Sequence, residues 1–145
     1  MATVRDILAR KGSHVQSIGP DATVLDAALL MNDHKIGSLV VTDGGRLVGI
    51  ITERDLLVRI VASRNDPAAT AVRDVMTSEL LCGRIDTSLD EARGVMMNRR
   101  IRHLPIVDED DHLLGLVSIG DLNAHLAHDQ EVTIHVMQEY IHGRV

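Results

Sequence analysis

The 145 residues carry 15 basic and 21 acidic side chains, a net charge of -6, and 45% apolar residues, a balance that suits a compact folded chain and excludes a disordered or fibrous one. Aromatic residues make up 1%, Tyr140 alone, so a single shared core of Val, Ile, Leu, Met and Ala is expected and a base-stacking surface for single-stranded nucleic acid is excluded. The acid excess lies in residues 69–145, with 7 basic and 13 acidic side chains, so neither nucleic acid nor an anionic membrane is an expected partner.

In chain order, residues 14–18 read as a short strand. Thr23-x-x-Asp26 is a capping box opening a helix with Val24, Ala27, Ala28 and Met31 on one face. Residues 37–42 and 47–52 are β-branched runs joined by Asp43-Gly44-Gly45-Arg46, a hairpin turn in which the glycines supply positive φ. Thr52-Glu53-Arg54-Asp55 starts a second helix carrying Leu56, Leu57, Ile60 and Val61, and Asn65-Asp66-Pro67 breaks it. The pattern then returns. Val4-Arg5-Asp6-Ile7 is echoed by Val72-Arg73-Asp74-Val75, and the capping box by Ser88-x-x-Glu91. Ile36, Leu39 and Asp43 match Ile101, Leu104 and Asp108, and Gly49-Ile50-Ile51-Thr52-Glu53-Arg54-Asp55 matches Gly115-Leu116-Val117-Ser118-Ile119-Gly120-Asp121. Each half is thus a β-α-β-β-α unit, with Cys82 in the first strand of the second. The expected fold class is α/β (α+β): residues 1–65 and 66–128 as two units related by a pseudo-twofold and packed sheet to sheet, because one small sheet alone leaves an apolar face wet. Residues 129–145 read as a C-terminal helical extension. Its apolar stripe is Ile134, Met137 and Ile141, near Tyr140, and its cap is at Thr133.

Cys82 has no partner for an internal disulfide, the N-terminus shows no leader pattern, and no apolar run approaches the ~18 residues that span a bilayer, so the expected location is the cytoplasm.

The tandem unit, the segment Ile101-Arg102-His103-Leu104-Pro105-Ile106-Val107-Asp108 and the two Gly-h-h-Thr/Ser-x-x-Asp turns, where h is apolar, resemble the cystathionine-β-synthase (CBS) domain, present twice as a Bateman module. The resemblance covers roughly residues 3 to 125. It implies a sensor or regulator rather than a catalyst. The implied ligands are adenosine compounds (AMP, ADP, ATP, NAD or S-adenosylmethionine), bound in clefts between the units. It also implies a homodimer formed through the helices, with an effector protein as a further partner.

The residues themselves suggest the same chemistry. A Thr or Ser at a strand-to-helix turn sets its hydroxyl beside free backbone N–H groups, where phosphate is welcome. A carboxylate three residues on suits the cis-diol of a ribose. Thr52 and Ser118 are therefore candidate phosphate contacts, and Asp55 and Asp121 candidate ribose contacts. The same Thr/Ser-x-x-Asp spacing is also an ordinary helix cap, and both roles can coexist. Gly49 permits close approach of a ligand or a neighbouring strand.

Arg102 and His103 are further phosphate candidates through the resemblance, whereas Arg99 and Arg100 read as a solvated helix end. Ile36, Gly37, Ser38 and Ile101 are assigned to the base pocket by the same resemblance. The first unit has Gly37-Ser38 where the second has Arg102-His103, and Arg54 where the second has Gly120, so its cation would come from the turn itself and the two clefts would prefer different ligands. Asp121, His125 and His128 share a helix face and could ligate zinc, but with Asp121 assigned to ribose no metal is expected. His128, His135 and His142 recur every seven residues. Two other classes remain beside the sensor: a ligand-free dimerisation or partner-binding protein, and a metal-dependent enzyme.

Overall fold

The computed structural model describes residues 2–127. The C-terminal extension with its Thr133 cap and apolar stripe, and the seven-residue spacing of His128, His135 and His142, lie outside the described residues.

The first half runs α1 (Val4–Lys11), β1 (Ser17–Ile18), α2 (Val24–His34), β2 (Ser38–Asp43), β3 (Arg46–Thr52) and α3 (Glu53–Leu56). The second runs through a 3-10 turn (Val72–Asp74) to α4 (Leu89–Arg99), β4 (His103–Val107), β5 (Leu113–Ser118) and α5 (residues 119–127). The first sheet has the order β1-β2-β3, with β1 parallel and β3 antiparallel to β2. The second is the antiparallel pair β4-β5. Both hairpins shift register at equivalent places, Val41/Thr42 and Ile106/Val107. The Gly44-Gly45 turn has φ of 58° and 84°, the left-handed pair that a two-residue hairpin loop needs.

Three expectations are corrected. The strand predicted over residues 14–18 is only Ser17–Ile18, and its counterpart in the second half is a single parallel bridge from Gly83 to Ile106. Cys82 therefore lies outside any strand, because the next residues turn away: the Arg84 N–H donates to Thr87 Oγ1 at 2.9 Å and the Thr87 N–H to the Arg84 carbonyl at 3.1 Å. The helix after Thr52 is α-helical for one turn and then widens into a π-helical stretch, Leu57–Val61, closed by the Ala62 N–H on the Leu57 carbonyl at 2.9 Å. Side chains take up the displaced carbonyls there: Ser63 Oγ donates to Val58 O and Asn65 Nδ2 to Arg59 O, both at 2.8 Å.

The third correction concerns the core. The buried residues form two clusters, and each is completed by the lead segment of the opposite half. Val72 and Val75 pack with Val24, Leu39, Val41 and Ile51, whereas Val4, Ile7 and Leu8 of α1 pack with Leu89, Met96, Leu104 and Val117. Equivalent backbone bonds hold the crossings, Val4 N–H to Thr87 O at 2.9 Å and Val72 N–H to Ala22 O at 2.8 Å. Two glycines allow the close contact. A Cβ on Gly49 would stand 2.5 Å from Met76 Sδ, and one on Gly115 would stand 2.7 Å from Leu8 Cδ2. The room at Gly49 is thus used by the chain's own crossing segment. The hairpins also meet edge to edge, with Leu47 N–H on Asp111 O at 3.0 Å and Leu113 N–H on Gly45 O at 3.1 Å. Among the described residues no helix is long and apolar enough to cross a membrane.

Candidate functional site: two equivalent strand-to-helix turns

Each turn is built the same way. The last residue of the hairpin, Thr52 or Ser118, pairs across the sheet with the first residue of the facing strand, Ser38 or His103. The next N–H is caught by the carbonyl just before that strand, Glu53 N–H on Gly37 O and Ile119 N–H on Arg102 O, both at 2.9 Å. The turn is thereby clamped to the strand entrance. The predicted Gly37, Ser38, Thr52 and Asp55 come together in the first turn, and Arg102, His103, Ser118 and Asp121 in the second.

The capping geometry is fully formed. The Asp55 N–H donates to Thr52 Oγ1 at 3.2 Å while the Thr52 N–H donates to Asp55 Oδ2 at 3.0 Å. The Asp121 N–H donates to Ser118 Oγ at 3.0 Å and the Ser118 N–H to Asp121 Oδ2 at 2.8 Å. Both carboxylates spend Oδ2 on the cap. Oδ1 of Asp55 accepts Thr77 Oγ1 at a long 3.4 Å. A carboxylate with an acceptor oxygen to spare and a rigid backbone can take further hydrogen bonds from a diol without reorganising. In α4, by comparison, the Ser88 hydroxyl accepts the Glu91 N–H at 3.1 Å, one half of the predicted box.

Three participants were not foreseen. Lys11, at the end of α1, reaches the second turn and donates to Asp121 Oδ2 at 2.7 Å and to the Leu116 carbonyl at 2.9 Å. Thr77 reaches the first turn from the opposite half. Glu53 lies over Gly37, its carboxylate atoms 3.1 to 3.3 Å from where a Cβ would be. The sequence signal for Lys11 and Thr77 was the repeated lead segment itself, but its crossing to the other half could not be read from spacing.

The remaining candidates separate. Ser38 is the buried polar residue of the set, 7% exposed, whereas Arg54 and Arg102 are exposed. Strand β4 begins at His103, so Arg102 lies just before it. Ile101 packs on the second cluster, and Ile36 is 37% exposed beside the first turn. Arg99 ends α4 and Arg100 follows it in the left-handed region, both exposed as expected.

A cleft of about 180 Å³ lies elsewhere, lined by Leu47, Val48, Ser78, Leu80, Cys82, Val107 and Asp111, and it shares no residue with either turn. The Cys82 thiol is pushed up by burial first and then by Asp111, away from nucleophilic use. Asp108, Asp110 and His112 bring ligand atoms within 4.8 Å of one another on the exposed β4-β5 turn. There Asp108 Oδ1 is already taken by the Asp110 and His112 N–H groups, each at 2.9 Å. In the zinc alternative, Asp121 is engaged by Lys11 and His128 lies outside the described residues.

Burial, then the neighbouring Arg102, holds the His103 imidazole below the usual histidine range, against the opposing pull of Asp121. Burial raises Asp121, but the bonds from Lys11 and Ser118 outweigh it and the net direction is down. Both shifts act in one direction. Each folded-state value lies below its unfolded value, so the stability they supply is present above the unfolded value and is lost as pH falls through the folded one. Melting temperature should therefore fall as pH drops below about 6.5, where free histidine charges, and again in the carboxylate range. His103→Gln should flatten the first fall; an unchanged slope between pH 7 and 5 would show that His103 does not cause it.

Comparison with known proteins follows this duplicated geometry. The CBS domain matches twice, over residues 3–62 and 72–128. The CBS domain-containing protein YhcV of Bacillus subtilis is 38% identical over 122 residues, covering 84% of each chain. A putative signal-transduction protein with CBS domains from Burkholderia ambifaria superposes with a TM-score of 0.82 at 37% identity, covering 89% of this chain and 96% of that one. CBSX2, solved in complex with AMP, superposes with a TM-score of 0.75 at 29% identity, covering 90% of this chain and 99% of that one. Two matched copies over most of the described length, each with the same clamped turn, mean that the chain belongs to the CBS domain family and carries that domain as a pair.

Proposed function

We propose that this CBS pair is a regulatory module without catalysis, binding adenosine-containing ligands at the Thr52–Asp55 and Ser118–Asp121 turns and passing their occupancy to an effector protein. The observation that carries the reading is the repetition of one clamped turn with a carboxylate at the same place. Capping alone needs no second copy with a matched strand entrance, whereas a ribose does need a fixed acidic acceptor beside backbone donors. The AMP held by the similar CBSX2 supports the ligand class. AMP, ADP, ATP, NAD and S-adenosylmethionine all present the required diol. Thermal denaturation with each at millimolar concentration tests the proposal: a rise with at least one supports it, and no rise with any favours the ligand-free reading.

A specific observation favours dimerisation alongside ligand binding. Leu57 (57% exposed) and Val61 (66%) stand one turn apart on the helix after Thr52, and Leu29 (53%) and Met97 (68%) are exposed on α2 and α4. We propose a homodimer through these helices. Light scattering at about 50 μM should give twice the chain mass, since an ordinary interface binds well below that concentration. Leu57→Glu with Val61→Glu should return the monomer, and a monomeric parent would remove the proposal.

A further inference from the structure

The two turns share a backbone but differ in the charges around it. At the first, Glu53 and Asp55 flank Arg54 on one turn of helix, and the Glu53 carboxylate lies over Gly37. At the second, Ile119 stands where Glu53 does and Gly120 where Arg54 does, so the turn keeps one carboxylate, Asp121. That carboxylate is paired with Lys11 at 2.7 Å, side chains 37% and 23% exposed, and Arg102 precedes the facing strand. The formal charge of these named groups is thus -1 at the first turn and +1 at the second; Arg59, one helical turn beyond Asp55, donates to the Val75 and Met76 carbonyls. A 5′-phosphate on an adenosine ligand meets opposite fields in the two places.

We propose that Lys11, delivered by the lead helix of the opposite half, is the residue that makes the second cleft select phosphorylated over unphosphorylated adenosine. This rests on the ribose reading above and adds the ligand's charge to it. The ammonium is held by two bonds, to Asp121 Oδ2 and the Leu116 carbonyl, leaving one N–H donor for a ligand oxygen. By neutralising Asp121 it also removes the repulsion that a diol-binding carboxylate exerts on a nearby phosphate. The first cleft has Thr77, an uncharged donor, on its Asp55 carboxylate and gains no such preference.

Calorimetric titration of the full chain with AMP and with adenosine isolates the phosphate, since base and ribose are common to both. In one class of sites Lys11→Met should cut the preference for AMP over adenosine by about fivefold, the size of one unit charge acting over about 4 Å at the dielectric of water, since the Lys11 side chain is 37% exposed. Adenosine affinity there should hold or tighten, because Asp121 is released. The other class should be unchanged, and Lys11→Arg should keep the preference. Parallel loss of AMP and adenosine would make Lys11 only a prop for Asp121, and an unchanged preference would make it irrelevant; either overturns the proposal while leaving ligand binding intact. A parent chain that binds neither compound would overturn both this and the ribose reading.

Discussion

Truncating Leu39 or Leu104 to alanine should cost about 2 to 5 kcal/mol each, the range for a leucine removed from a core that relaxes only partly. The two occupy equivalent strand positions, opposite Ile51 and Val117, and are 0% and 2% exposed. They sit in different clusters, which would ordinarily predict independent unfolding. The crossings argue otherwise. Removing the first cluster's strands strips Val72 and Val75 of their partners, and unfolding the second releases Val4, Ile7 and Leu8 of α1. Urea unfolding followed by circular dichroism should show one transition whose midpoint moves for either variant. Two transitions, with only one moved by each substitution, would mean that the lead segments do not couple the halves.

The second large effect is on ligand affinity. Asp55→Ala and Asp121→Ala should each weaken adenosine-ligand binding by ~1.5 to 3 kcal/mol at its own cleft, the value of hydrogen bonds to a charged acceptor, or roughly 10- to 150-fold. Each also forfeits the N3 half of its capping box, a hydrogen bond worth about 1 kcal/mol of stability, so melting temperature falls alongside. Asparagine in place of the aspartate separates the two losses, since its Oδ1 can still accept the Thr52 or Ser118 N–H but offers the diol no charge. An affinity that survives both alanine variants would leave these carboxylates as caps alone.

What the sequence made legible was local. The capping boxes at Thr23, Thr52 and Ser118, the Gly44-Gly45 turn and the equivalence of the halves are all set by spacings of a few residues, and each formed where the residues predicted it, because a cap or a two-residue turn depends on little beyond its own backbone. What was not legible was tertiary. Nothing in Val4-Arg5-Asp6-Ile7 says which sheet it covers, so the division of one expected core into two, and the arrival of Lys11 and Thr77 at the opposite turns, were out of reach. The strand expected at Cys82 failed because the Arg84–Thr87 turn competes with extension there. The helix after Thr52 was read as regular although its β-branched stretch Val58 to Val61 widens into a π turn. The gathering of Gly37, Ser38, Thr52 and Asp55, and of Arg102, His103, Ser118 and Asp121, followed from strand pairing, which hairpin register makes predictable; the exposure of Arg54 did not.

Backbone amide resonances followed while AMP is titrated into the labelled chain test the central claim most directly. Binding at the turns should shift the Thr52, Asp55, Ser118 and Asp121 amides, together with those of Gly37, Ser38, Arg102 and His103 at the strand entrances. Shifts confined to Val48, Leu80 and Val107 around the separate cleft, or none at millimolar AMP, would contradict it.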